Sequence, residues 1–408
     1  MPSEYYSGRQ TEASNGKVSS EASRWSANSD GLKIGFMNDK VKKHFGPALL
    51  LVVLALFFCA SSAAAQSVQD LPPPPPRSTP KPTPPPIPKD EDFDVVKVSS
   101  SLVMVPVSVL DSVGQPVLGL QKGDFRIDEE GQTQEVVEIG NPDQVPLDIA
   151  ILFDVSSSVS QKNFFAFQQK AVASFLRQVM KPVDRAAIFT IKDEPQLVAP
   201  LGSADAASAR LLAIPAASTP VPTAFFDAVV AAAKYLSAQP AAGHRRVILV
   251  VSDGDDNFSS LVRELTVAEA RANQRGEQTP AAAKVNLDER RERAVGEVQR
   301  AVQHADAAFY SVNPGGNSVR LNLISTRAQN IMQLIANATG GTAYLPNGEN
   351  DLERVFREVA AELRGQYLLQ YYSNSQATGT QFRRIAVTTP SKLQLRVRAR
   401  QGYYPKAK

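Results

Sequence analysis

Five oxygen-bearing side chains in this sequence stand where apolar or helical patterns begin or end. The stretch ILFDVSSSVS, Ile151 to Ser160, runs from apolar residues into Asp154, with Ser156 and Ser158 at alternate positions beyond it. RRVILVVSDGDDN ends in the same way at Asp253-Gly254-Asp255-Asp256. Thr223 stands in PVPTAFFDA, directly before a helical pattern. Carboxylates and hydroxyls without histidine or cysteine suit a hard cation, Mg²⁺ first and Mn²⁺ or Ca²⁺ next, rather than zinc or copper. Because Mg²⁺ keeps waters and is rarely caged by protein alone, such a set leaves a position open to a carboxylate from elsewhere. Each residue also has an ordinary role available. D-x-S-x-S can be a polar turn with Asx-type hydrogen bonds, and Thr223 can cap a helix. Asp255 and Asp256 read as solvated turn acids. Asp227, one turn past Thr223, can support the site from behind or offset the helix dipole.

The elements that must position these oxygens can be read from hydrophobic periodicity. LDIAILFDV and RRVILVVS are continuous apolar runs, as in strands buried on both faces of a parallel sheet. Helical spacing covers Asn163 to Met180, through Phe164, Phe167, Ala171 and Phe175, and AFFDAVVAAAKYLSAQ, with Phe226, Val229, Val230 and Ala233 inward. DRAAIFTIKD, AAFYSVNP and GTAYL read as strands, and Ser325 to Thr339 and Asp351 to Leu363 as helices. This alternation predicts an α/β fold, a doubly wound and mostly parallel sheet covered on both sides. Ligands bind such sheets outside the carboxyl ends of the strands, at the switch point, where Asp154 and Asp253 fall. The charged segment Leu261 to Arg300, broken by QTP, carries both signs at i,i+4 spacing and predicts a solvated helical insertion.

The flanks read differently. Residues 93–145 alternate like short strands, with Val103, Val105, Val107 and Val109 on one face; so small a β unit is marginal alone. The tail, residues 364–408, holds three more strand-like runs that should join it, giving a small accessory β domain built from both flanks. Residues 66–92 form a proline-rich linker, LPPPPPRSTPKPTPPPIPKD at its centre, expected to be an extended spacer of about 3 Å per residue. Upstream, Lys40, Lys42 and Lys43, an apolar core at 48–60 and Ala63-Ala64-Ala65 together predict a secretory signal ending at residue 65. The core is shorter than the roughly 20 apolar residues of a membrane span. Met37 opens a conventional signal and is the expected start; if Met1 starts the chain, the segment acts instead as an uncleaved N-terminal anchor. The only cysteine, Cys59, lies in this segment, so no disulfide or thiol chemistry is expected in the exported chain, whether periplasmic, surface-bound or secreted. A net charge of +3 on 408 residues gives no basic footprint for nucleic acid.

D-x-S-x-S at Asp154 to Ser158, a threonine opening a helix at Thr223 and an apolar strand ending in Asp253-Gly254 resemble the von Willebrand factor type A domain, over about residues 146–363. The resemblance implies a doubly wound fold and a metal-ion-dependent adhesion site. Its ligands would be Asp154, Ser156, Ser158, Thr223 and Asp253, and the cation would bridge to an exposed Asp or Glu of a protein partner. The flanks PVSVLDSVGQPVLGLQKGDFRIDEEGQTQEV and QYLLQYY…RRIAV…LRVRARQGYY are similar to those of exported bacterial "VWFA-related domain" proteins, an architecture more than an activity. The sequence departs from the family at Ser157, where glycine is frequent, and at Pro220-Val221-Pro222, where glycines are common. An adhesion protein rather than an enzyme is expected: no G-x-S-x-G elbow accompanies the serines, and only His244 and His304 lie beyond the signal. The alternative is a metal-independent scaffold of the cell envelope.

Overall fold

Val103, Val105, Val107 and Val109 alternate down one face of β1 (Leu102–Leu110), and all four are buried. The computed structural model describes residues 102–156, 162–239, 243–315, 323–374 and 380–405. The signal, the proline-rich linker, Ser157 and Ser158 lie outside the described residues. Three short strands follow β1: β2 (Arg126–Glu129), β3 (Gln132–Gln134) and β4 (Val136–Gly140).

The chain then enters an α/β unit. Its elements run β5 (Leu147–Asp154), α1 (Lys162–Val179), β6 (Arg185–Ile191), β7 (Gln196–Gly202), α2 (Ala204–Leu212), α3 (Phe225–Ala238) and β8 (Arg245–Val251). After them come α4 (Ser260–Arg263), α5 (Val267–Gln274), α6 (Pro280–His304), β9 (Ala307–Val312), α7 (Leu323–Thr339), β10 (Ala343–Tyr344) and α8 (Glu349–Arg364). The sheet order is β10-β9-β8-β5-β6-β7. All pairings are parallel except that of β7, which returns antiparallel on β6. Every residue of β5 and β8 is buried, because helices cover both faces. Ile149, Ile151 and Phe153 pack with α1, α2 and α8; Ala150 and Leu152 pack with α3, α6 and α7. From β5 the chain winds outward through β6 and β7, then crosses back to β8 on the other side. The β5/β8 boundary is therefore the switch point, where the following loops part and leave a crevice.

Residues 261–300 are only partly the solvated insertion that their charge pattern suggests. Thr279 caps α6 by accepting from the Ala282 N–H, and Pro280 occupies its first turn, so QTP starts a helix. Ala294, Val298 and Val302, at four-residue spacing among charges, are buried against the second layer. Arg290, on the same helix, pairs with Glu269 and donates Nε to the Val262 carbonyl at 2.7 Å.

The last strands are β11 (Tyr367–Tyr372), β12 (Arg383–Thr388), β13 (Arg396–Ala399) and β14 (Gly402–Tyr403). With the N-terminal strands they form two four-stranded sheets, β13-β1-β11-β4 and β14-β12-β2-β3. Their inner faces share one core, including Val105, Ile127, Tyr371 and Ile385. The α/β unit is thus inserted between the two halves of a small sandwich. Glu129, 2% exposed, ties the halves together. Its carboxylate accepts from the Tyr371 hydroxyl at 2.7 Å and the Ser373 hydroxyl at 2.8 Å, and pairs with Arg383 at 3.3 Å. No helix among the described residues is long and apolar enough to cross a membrane.

Candidate metal-ion site

Asp154 is the last residue of β5 and is fully buried. One carboxylate oxygen accepts from the Ser156 N–H at 2.8 Å, the other from the Ser252 hydroxyl at 2.5 Å. Burial pushes the carboxyl up to about 6, the Ser252 hydrogen bond opposes this, and the neighbouring Asp253 charge adds to it. Asp253 follows β8 on the adjacent strand, where Phe153 stands opposite Val251. It is partly exposed, and its Oδ1 accepts from the Asp255 N–H at 3.2 Å. The turn after it needs glycine: Gly254 has φ +75°, and a Cβ there would meet Met332 Cε at 2.7 Å.

Thr223 is 3% exposed in the loop before α3. It does not cap the helix: Ala224 holds that position, with no side-chain hydrogen bond. Instead its backbone is clasped to the loop after β8. The Thr223 N–H donates to Asn257 Oδ1 at 2.9 Å, and its carbonyl accepts from the N–H groups of Asn257 at 3.1 Å and Phe258 at 3.0 Å. Three hydrogen bonds therefore join the loop before α3 to the loop after β8. Asn257→Ala removes the side-chain half of this clasp; it should cost about 1 kcal/mol and reduce any cation-induced rise in melting temperature, checked by thermal melts with and without Mg²⁺.

The structure brings Asp154, Ser156, Thr223 and Asp253 to one sheet edge; Ser158 lies outside the described residues. Ser156, like Asp154 and Thr223, is buried. Asp256 is not the solvated turn acid its position suggested. It is 9% exposed, and it accepts from the Phe226 N–H at 2.9 Å, the Ser259 N–H at 3.1 Å and the Ser259 hydroxyl. It serves the Phe226 amide in the first turn of α3 from another loop, work usually done by a local cap. Asp255 is half-buried, its carboxyl pushed up by burial and then by Asp253 and Asp256. Asp227 accepts from the Ser260 N–H at 2.7 Å, and its own N–H donates to Ser259 Oγ at 3.1 Å. It braces the loop that carries Asp253. Sequence reasoning missed Ser252 and Asn257. Ser252 had one signal, a hydroxyl ending an otherwise apolar strand; Asn257 had none, because its partner is 34 residues away.

Among the described residues no group of three or more His, Cys, Asp or Glu could hold a metal. A cation at this edge must therefore take hydroxyls as well as the two carboxylates, and a hard ion with retained waters fits that donor set. The histidines stand elsewhere. His244 Nδ1 lies 3.2 Å from Asp148 Oδ1, just before β8 begins, and His304 stacks on Tyr404 at 3.5 Å.

A family model described as the von Willebrand factor type A domain matches residues 148–312. Similar solved structures include the vWF domain of the type V pili tip protein Mfa5 from Porphyromonas gingivalis. It is 14% identical, with 53% of this chain and 94% of that one covered and a TM-score of 0.38. A von Willebrand factor type A protein from Catenulispora acidiphila is 12% identical, covering 66% of this chain and 51% of its own, with a TM-score of 0.38. Proximal thread matrix protein 1 from the mussel byssus, with a zinc-occupied MIDAS motif, is 13% identical, covering 57% and 48%, with a TM-score of 0.36. No curated protein matches the sequence.

Proposed function

We propose, from the match of residues 148–312 to the von Willebrand factor type A domain, that the chain binds a protein partner through a divalent cation at the β5/β8 edge. The ligands are Asp154, Ser156, Ser158, Thr223 and Asp253, and an Asp or Glu of the partner takes the open position. One observation carries this most: a fully buried Asp154 beside a second carboxylate, ringed by hydroxyls on braced loops. A buried carboxylate beside a second carboxylate is costly unless a positive charge lies close to both. Mg²⁺ suits the all-oxygen set best, and Mn²⁺ or Ca²⁺ next. The role is adhesion without catalysis, in an exported protein that leaves the cell through the predicted signal or stays anchored by it.

Thermal melts of the purified protein test this. A cation at about 100 times its Kd should stabilise by about 2.7 kcal/mol, or roughly 5–10 °C for a domain of this size. The response should depend on pH, because the cation needs Asp154 ionised and displaces its proton. Full stabilisation is expected well above the Asp154 pKa of about 6, with progressive loss below it. A wild type indifferent to Mg²⁺ and Mn²⁺ at all pH values would leave the metal-independent scaffold as the better account.

A further inference from the structure

Where β8 and β9 begin, at the opposite end of the sheet from Asp154 and Asp253, a cavity of about 380 Å³ opens against β1 and β14. Leu102, Pro106 and Tyr403 give it an apolar wall, and four arginines, Arg245, Arg246, Arg383 and Arg400, are among its lining residues. Two of these have carboxylates in contact: Arg383 pairs with Glu129 at 3.3 Å, and Arg400 pairs with Asp306. The other two do not. Arg245 donates to the Leu363 carbonyl at 2.9 Å, Gln366 Oε1 at 3.2 Å and the Pro142 carbonyl at 3.3 Å. Arg246 donates to the carbonyls of Ala305 at 3.0 Å and Gln239 at 3.4 Å.

Both side chains are more than nine-tenths buried, and their Nε atoms, like that of Arg400, have no hydrogen-bond partner. The acids that act on them are engaged elsewhere. Asp148 is held by Arg185 at 2.8 and 2.7 Å, Asp184 accepts from the N–H groups of Leu147 and Lys181, and Asp143 pairs with Lys181. The carbonyls of Leu363 and Ala305 lie at the ends of α8 and α6, so helix dipoles supply about half a charge each. A buried guanidinium without a contacting anion remains costly. Burial lowers the proton affinity of Arg245 and Arg246 and brings Arg400 down to about 10.

We propose that this cavity binds a small organic anion, a carboxylate or phosphate carried on an apolar or aromatic body. Its charge offsets Arg245 and Arg246, and its body lies against Leu102, Pro106 and Tyr403. Guanidinium groups match the geometry of both oxyanions, and the volume falls within the range of about 300–1,000 Å³ for small-molecule sites. The site is separate from the cation edge, and a ligand there would tie the sandwich to the α/β unit.

The test uses the full chain without added metal, with benzoate, phenyl phosphate and the neutral benzyl alcohol as probes. At least one anion should raise the melting temperature saturably by several degrees, while benzyl alcohol does not; which anion acts distinguishes carboxylate from phosphate. Leu102→Trp, at a half-exposed wall position, should abolish the response without removing an arginine. Arg246→Gln should weaken it at least tenfold, and Asp154→Ala should leave it intact. If Arg246→Gln fails to fold, Leu102→Trp decides. The proposal is overturned by no saturable response to either anion, an equal response to benzyl alcohol, or a response that survives Leu102→Trp. Loss of the response in Asp154→Ala would also overturn it, because the anion would then sit at the cation edge.

Discussion

In metal-free buffer at about pH 7.5, Asp154→Asn should melt above the wild type, and adding Mg²⁺ should close or reverse the gap. The sign follows from the carboxyl's displacement from 3.8 to about 6 on folding. A raised carboxyl pKa means that folding favours the protonated form. Its stabilising contribution is complete below the unfolded value and is lost as pH rises through the folded one. At neutral pH the ionised, buried Asp154 therefore costs about 2–3 kcal/mol, which the neutral amide avoids while still accepting from the Ser156 N–H. For a unit of this size the gain is roughly 5–10 °C. The variant has given up a charged ligand, so its melting temperature should not respond to the cation. A variant that is less stable without metal and equally responsive with it would show that Asp154 is only a turn residue.

The second large effect concerns the frame. Glu129→Ala takes from Arg383, 13% exposed at its side chain, the carboxylate it pairs with, and takes an acceptor from the hydroxyls of Tyr371 and Ser373. Breaking a buried pair by removing one member costs about 3–5 kcal/mol. The loss falls on contacts between N-terminal β2 and C-terminal β11 and β12, so the sandwich should loosen before the α/β core does. Denaturant unfolding should show a lower midpoint and a separate early transition. Adding Arg383→Met should recover part of the loss, because the stranded charge is removed as well. If Glu129→Ala costs less than about 1 kcal/mol, the network is solvated and does not join the halves.

Much of this architecture was legible because burial writes continuous apolar runs into LDIAILFD and RRVILVV, and because their ends carry acids. Asp154 and Asp253 could be placed at one end of the sheet for the same reason, because each follows one of these apolar runs. What escaped reading depends on long-range contacts. QLVAPLG forms the antiparallel edge strand β7, but its exposed leucine and two prolines at and before the strand weaken the strand pattern. Helix α2, begun by a Ser203 cap, is too short for a clear period. The buried stripe Ala294, Val298 and Val302 is masked by charges on every other face of α6. Asp256 looked solvated because a sequence does not show that the start of α3, 30 residues earlier, comes to it for an acceptor. The pairing of Glu129 with Tyr371 spans 242 residues, and only the general expectation that the two flanks meet could be read.

The claim that a divalent cation sits at Asp154 and Asp253 is tested most directly by titrating Mn²⁺ and following the free-ion paramagnetic resonance signal. The wild type should remove about one Mn²⁺ per chain, Mg²⁺ should compete it off, and Asp253→Ala and Asp154→Ala should each leave the signal at its protein-free intensity. Equal Mn²⁺ uptake by the wild type and both variants, or no uptake by the wild type, would contradict it.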